Sequence, residues 1–150
     1  MIIPIDIQNG SDIATDIKPF IIRNAERFKR DPWVHENIQY NIFTFPGAFV
    51  YLYHSLKTEF YTNGDKIGID THMPYYIKGW INVYHKNEKI PWHQHNDTKW
   101  PGMYHGVFCI ESAGESYTVY EDGNDVESIN GGCHIINDMT TRHTLSLIHI

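Results

Sequence analysis

The chain has 150 residues, of which 41% are apolar and 20% charged. This composition excludes an intrinsically disordered chain, and the length predicts one domain with its own core. The formal net charge of −6 excludes the broad positive field with which proteins attract nucleic acids. The N-terminus lacks the pattern of a signal peptide, and no apolar run approaches the roughly 20 residues that cross a bilayer. We therefore expect a soluble, cytoplasmic protein with neither nucleic-acid nor membrane partners.

The first half of the chain, residues 1–74, has the apolar spacing of helices. In the segment DIKPFIIRNAERFKRDP, Pro19 predicts a helix start and Asp31-Pro32 predicts a stop. The segment PGAFVYLYHSLKTEFYTNG predicts a second helix that ends at Asn63-Gly64. Its apolar stripe, which we expect to face the core, consists of Phe49, Leu52, Leu56 and Phe60.

From Tyr75 onward the chain consists of short runs rich in aromatic and β-branched residues, separated by turn signals such as Asp122-Gly123-Asn124. These runs are YYIKGWINVYH, GMYHGVFCIES, SYTVYE, HIIND and HTLSLIHI. Strands with no helix between them are typical of an antiparallel sandwich or barrel. We predict an α+β fold in a single domain, 1–150, in which helices of the first half support a β-barrel formed by residues 75–150.

Two of the ten histidines, His93 and His95, have the spacing of a metal-binding pair. Residues i and i+2 of a strand lie on the same face, so the pair can present two nitrogens to one ion. On spacing alone, the pair fits a solvent-facing strand equally well. A metal site also needs a third ligand. His143 is the first candidate, because a barrel returns a late strand beside an earlier one, and His105 is the second; His134 also competes.

These motifs resemble those of the 2-oxoglutarate- and Fe(II)-dependent oxygenase superfamily. NVYHKNEKIPWHQH resembles its Asn-x-Tyr signature followed by the metal-binding His-x-Asp. GMYHGVFCIESAGESYTVYEDG and GGCHIINDMTTRH resemble later elements of small oxygenase-like proteins of bacteria and their phages. The resemblance covers residues 76–144. It implies a double-stranded β-helix, or jelly-roll, barrel; an Fe(II) ion bound by His93, His95 and His143; and 2-oxoglutarate contacted by Asn82 and Tyr84. It also implies a cytoplasmic location in a bacterium or a phage-infected host.

Two features depart from the superfamily pattern. His95 replaces the usual carboxylate ligand, for which Asp97 is the alternative. The cation that binds the far carboxylate of 2-oxoglutarate has no counterpart in TLSLIHI, and Arg142 should point to the opposite face of its strand. The tail LSLIHI also matches the translation of a common transposon-derived sequencing adapter. One hypothesis is therefore that residues 145–150 are an adapter artefact and that the natural chain continues past Thr144; an ordinary final strand is the alternative.

The leading functional hypothesis is a 2-oxoglutarate- and Fe(II)-dependent dioxygenase that hydroxylates a small molecule or a protein side chain. Two alternatives stay open. One is a cupin-like metalloprotein with three histidine ligands that does not use 2-oxoglutarate, which explains His95 directly. The other is a non-catalytic barrel that serves as a binding module.

Overall fold

The computed structural model describes residues 1–28, 40–85, 88, 90–95, 103–112, 114–137 and 140–147. These residues form three α-helices, a short 3-10 helix (Ile42–Thr44) and six strands. The helices are α1 (Gly10–Arg23), α2 (Ala25–Phe28) and α3 (Ala48–Ile67). The strands are β1 (Ile2–Ile5), β2 (His105–Phe108), β3 (Ser116–Tyr120), β4 (Asp125–Glu127), β5 (Cys133–Ile136) and β6 (His143–Leu147). The predicted α+β class is confirmed. Within these ranges, no helix is long and apolar enough to cross a membrane.

The strands form two antiparallel sheets of three strands each. The order is β1-β5-β2 in the first sheet and β4-β3-β6 in the second. The chain passes repeatedly between them: β2 lies in the first sheet, β3 and β4 in the second, β5 in the first and β6 in the second. The described strands do not close into a barrel, so the observed architecture is two sheets with N-terminal helices.

Strand β1 was not predicted, because residues 1–74 were assigned to helices and connections. It pairs with β5 over four residues, from Ile2 opposite Ile136 to Ile5 opposite Cys133. It is an edge strand of its sheet. Pro4 cannot donate a ladder hydrogen bond, and it is tolerated here because an edge strand has a neighbour on one side only.

The prediction that Pro19 starts a helix was wrong. Helix α1 already begins at Gly10, and Pro19 lies inside it. The buried face upstream of the proline consists of Ile13, Ala14 and Ile17, whose packing stabilises the earlier turns. Pro19 itself is exposed, so the carbonyl that it leaves without an amide partner lies on the side where water can satisfy it. The predicted stop at Asp31-Pro32 lies outside the described residues.

The predicted helix end at Asn63-Gly64 was also wrong. Helix α3 continues to Ile67 and ends at Gly68, which adopts the left-handed conformation with φ +76°. Gly64 stays inside the helix because Thr71 packs against it: a Cβ atom there would lie 2.5 Å from the Thr71 methyl group. The amide of Ile69 then donates to the carbonyl of Gly64 at 2.9 Å, which closes the C-terminus. The predicted apolar stripe of α3 is confirmed, because its members are buried or packed against the core.

The segment YYIKGWINVYH does not form the predicted regular strand. Its first part, residues 77–81, is hydrogen-bonded to residues 40–42. The amide of Ile42 donates to the carbonyl of Gly79 at 3.0 Å, and the Asn41 side chain bridges Ile77 and Gly79. The Tyr40 hydroxyl accepts from the amide of Ile81 at 3.1 Å. The strand-like composition therefore corresponds to an extended segment that is bonded to the Ile42 backbone and to the side chains of Tyr40 and Asn41.

The apolar core lies between the helices and one face of the first sheet. Its buried members come from β1, the helices, β5 and two connecting segments that contain Ile7 and Ile81, and the partly buried rings of Phe20 and Phe45 pack against them. Strand β5 has two different faces: Cys133 and Ile135 belong to this core, whereas His134 and Ile136 alternate to the other side. The four predicted runs after residue 102 are confirmed as strands within their described parts.

The buried members are Ile5, Ile7, Ile13, Ile17, Phe28, Ile42, Phe49, Leu52, Ile67, Ile81 and Ile135.

Candidate metal centre

His93 and His143 are brought together by their own backbones. The amide of His93 donates to the carbonyl of His143 at 3.1 Å, and the amide of His143 donates back at 2.9 Å. This reciprocal pair is an isolated antiparallel bridge. Residues directly opposite each other in such a pair project their side chains to the same face, and the two imidazole centroids lie 4.2 Å apart. The hydroxyl of Thr144 also donates to the carbonyl of Ile90, next to the bridge.

His95 reaches the same point because the chain is extended between residues 92 and 95. Trp92 and Gln94 are exposed, whereas His93 and His95 are half-buried, which is the alternation expected of a strand. One nitrogen from each of His93, His95 and His143 lies within 4.8 Å of the others. Two nitrogens bound at about 2.1 Å to one ion cannot be more than roughly 4.2 Å apart, so small side-chain rotations suffice for binding.

The orientation of His93 is set by a backbone carbonyl. Its Nδ1 lies 2.9 Å from the carbonyl oxygen of Pro91, which can only accept, so Nδ1 carries the proton and donates. The lone pair is then left on Nε2. Metal-binding histidines are commonly held in this way by an outer hydrogen bond, which fixes the tautomer and the ring orientation.

Burial lowers the pKa of two imidazoles in this cluster, those of His143 and His105, so both are neutral at physiological pH. Burial and, to a smaller degree, the neighbouring imidazoles lower the pKa of His143 to about 3. The same two causes lower the pKa of His105 well below its usual value. A neutral imidazole offers a lone pair, which a metal ion requires and a protonated ring lacks. The chemistry of the donors, their spacing and the hydrogen bond to Pro91 therefore fit a bound metal ion.

Further aromatic side chains surround the three histidines. The His105 ring, from the start of β2, stacks on His95 with centroids 4.0 Å apart and lies 5.0 Å from His143. Trp80 contacts the rings of both His95 and His105, at 5.9 and 6.3 Å. His105 was predicted only as an alternative third ligand. Trp80 was not predicted at all, because nothing in the local sequence ties it to the histidine pair.

Tyr120 and His134 join the two sheets beside this cluster. Tyr120 is 1% exposed, and its hydroxyl lies 2.7 Å from Nε2 of His134. The Tyr120 ring is also 5.6 Å from that of His143, its partner on the neighbouring strand. Burial lowers the pKa of His134 to about 4 and raises that of Tyr120 above its usual range. His134, the third competitor in the sequence, therefore bonds to a tyrosine and lies outside the convergent group.

The other predicted site residues have different surroundings. Asn82 is exposed and Tyr84 is half-buried, and their contacts with 2-oxoglutarate stay a prediction. Asp97, the alternative carboxylate, lies outside the described residues. Arg142 forms an exposed ion pair with Glu121 at 2.8 Å, as expected for a side chain that points away from His143.

The convergent group contains no carboxylate among the residues that the structure describes. The comparisons with known proteins add no name to this arrangement. No family model, curated protein or solved structure matches the chain.

Proposed function

We propose that the protein is an Fe(II)- and 2-oxoglutarate-dependent oxygenase on a jelly-roll framework, with His93, His95 and His143 as its metal ligands. The observation that carries the proposal is the convergence of three imidazole nitrogens within 4.8 Å, two of them from residues whose backbones pair directly. Three protein ligands leave further positions on an octahedral ion for a cosubstrate and O₂. When bound, iron and 2-oxoglutarate would supply the oxidising chemistry.

The strand pairing supports the jelly-roll part of the proposal. Strands β3 and β4 form a hairpin, β2 pairs with β5 around it, and His93 pairs with His143 outside both. The β3–β4 hairpin lies in the second sheet, and the β2–β5 pair lies in the first sheet. His143 belongs to β6 of the second sheet, so the pairing of His93 with His143 joins that sheet again. A long antiparallel hairpin wound in this way is the topology of a jelly roll.

Backbone and side-chain groups of the chain would have three roles at this site. The carbonyl of Pro91 holds the His93 ring so that Nε2 faces the ion. Burial of His143 keeps its ring neutral and excludes water from one side of the site. Trp80 contacts His95. Asn82 and Tyr84 lie two and four residues later in the same extended segment, where alternate side chains project to the same side. We therefore assign the hydrogen bonds to 2-oxoglutarate to Asn82 and Tyr84.

The net charge of the chain bears on the class of substrate. The net charge of −6 disfavours a polyanionic substrate such as DNA or RNA. We propose a small molecule or a protein side chain.

Anaerobic reconstitution tests the proposal. The protein is loaded with Fe(II), the bound iron is measured by elemental analysis, and 2-oxoglutarate is then titrated while the visible spectrum is recorded. We expect one iron per chain, a weak charge-transfer band on addition of 2-oxoglutarate, and succinate on exposure to air. The matched variants are His93→Ala, which should lose iron, and His54→Ala on the exposed side of α3, which should retain it. Iron binding without a band or succinate would contradict the oxygenase.

A metalloprotein with three histidine ligands that does not use 2-oxoglutarate is the second candidate. It is favoured by the all-nitrogen ligand group and by Arg142, whose guanidinium is engaged by Glu121 on the exposed side. The same titration separates the two candidates, because this one binds metal in a manner that depends on His93 and gives no spectral response to 2-oxoglutarate.

A further inference from the structure

His105 lies against the proposed ligands but outside their convergent group. Its ring is stacked on His95 at an interplanar angle of 20° and on His143 at 27°. Among the residues that the structure describes, the group whose nitrogens all lie within 4.8 Å of one another consists of His93, His95 and His143, without His105. His105 therefore lies beside the proposed ligands, with its ring centroid 4.0 Å from that of His95 and 5.0 Å from that of His143.

One nitrogen of His105 is buried without a hydrogen bond. Its Nδ1 atom exposes less than 1 Å² and has no partner within the described ranges. A buried polar atom without a partner costs about 1–3 kcal/mol, and native proteins satisfy nearly all such atoms. His134, which is also buried nearby, differs because its Nε2 is bonded to the Tyr120 hydroxyl at 2.7 Å. The Nδ1 atom of His105 is therefore available to donate a hydrogen bond to a ligand bound beside the three histidines.

We propose that His105 is an anion-binding residue, whose Nδ1–H donates a hydrogen bond to a carboxylate-class ligand held at an open position of the metal. A neutral imidazole can carry its proton on Nδ1, and a hydrogen bond to a charged acceptor is stronger than one to a neutral acceptor. This inference rests on the metal site of the proposed function. It is independent of 2-oxoglutarate, because any metal-bound anion would engage the same donor.

The role of a fourth metal ligand is less consistent with the geometry. Direct binding would require His105 to join a group from which its nitrogens are now excluded. The two roles make opposite predictions for metal affinity, which allows them to be separated.

The test uses azide as the anionic probe on the Co(II)-loaded full chain, followed by visible absorption. His105→Leu removes the donor, and His105→Asn places an amide nitrogen near the position of Nδ1. We expect both variants to bind Co(II) as tightly as the parent protein. We expect His105→Leu to weaken azide binding about tenfold, and His105→Asn to recover most of that loss. His72→Leu, at an exposed histidine, is the control and should change neither affinity.

Two results would overturn the inference: azide binding by His105→Leu that equals that of the parent, or loss of Co(II) affinity in both variants, which would make His105 a ligand. A separate 2-oxoglutarate titration of the Fe(II)-loaded parent distinguishes the proposals. If the parent shows no response to 2-oxoglutarate but the azide contrast persists, the oxygenase fails while the role of His105 stands.

Discussion

The protein has an apolar interior among its helices and a polar interior between its two sheets, and strand β5 contributes to both. The helical core is built from apolar side chains such as Ile17, Phe49 and Leu52, all 3% exposed or less. The space between the sheets instead buries polar side chains, namely Ser116, Thr118, His134 and His143. Strand β5 separates the two, with Ile135 toward the helices and His134 toward the other sheet.

This difference indicates which interior stabilises the protein and which serves its chemistry. Burial of apolar area favours folding, whereas each buried polar group must find a partner to avoid a penalty. The polar interior is satisfied in places, as by Tyr120 and His134, and left open at His105. Substitutions in the first interior should therefore change stability, and those in the second should change metal and ligand binding.

The largest expected effect is in the helical core. Phe49 is 3% exposed and packs edge-on against Phe20 and Phe45, with ring centroids 5.4 Å apart in each case. Phe49→Ala should lower the free energy of unfolding by about 3–5 kcal/mol, because it leaves a cavity. Urea denaturation measures the change. Tyr51→Ala, on the exposed side of the same helix, is the control, and equal losses in both would contradict the assignment of this core.

The second-largest expected effect is that of removing a proposed metal ligand. His143→Ala deletes one of three convergent nitrogens and should weaken metal binding about 100-fold or more, beyond the usual effect of changing an outer contact. Titration with Co(II) or Fe(II) under anaerobic conditions measures the affinity. The fold should persist, since the apolar core does not include this residue. Unchanged metal affinity would exclude His143 as a ligand.

Acid should destabilise the metal-free protein through the polar interior. The pKa of His134 is about 4 in the folded state, below its ordinary value near 6.5, so the unfolded chain binds more protons between these values. The contribution of His134 to the free energy of unfolding is therefore fully present above about pH 6.5. It falls as the pH is lowered, by about 2 kcal/mol at pH 5.

Urea denaturation at pH 7 and pH 5 measures this dependence. The matched variant is His134→Gln, whose amide can still bond to Tyr120 but does not titrate. It should lose less stability than the parent between the two pH values. An equal loss of unfolding free energy in both proteins would exclude His134 as a source of the pH dependence.

The smallest expected effect comes from the contact between the sheets. Tyr120→Phe keeps the ring beside His143 and removes the hydroxyl from Nε2 of His134. We expect a loss of about 1 kcal/mol in unfolding free energy, at the lower limit for a buried group left without its partner. Metal affinity should stay close to that of the parent protein. A large loss of metal affinity would instead assign Tyr120 a role in positioning His143.

The strands after residue 102 could be predicted because their composition and turn signals agree with their tertiary context. Asp122-Gly123-Asn124 forms the predicted turn, with Gly123 at φ +83°. Where local pattern and packing conflict, packing prevails. Pro19 and Gly64 both predicted helix boundaries, but both lie inside helices. The buried apolar face stabilises α1 on the N-terminal side of Pro19, and Thr71 packs against Gly64 within α3.

The chain alone determined the chemistry available at the site. The spacing of two residues places His93 and His95 on one face, because side chains alternate along a strand. A late histidine predicts a third ligand, because a barrel returns a late strand beside an earlier one. Only the tertiary structure decided that His143 pairs directly with His93, that His134 bonds to Tyr120, and that His105 and Trp80 line the same interior. These outcomes depend on how two sheets face each other, and the packing between sheets leaves no periodic signal in the local sequence.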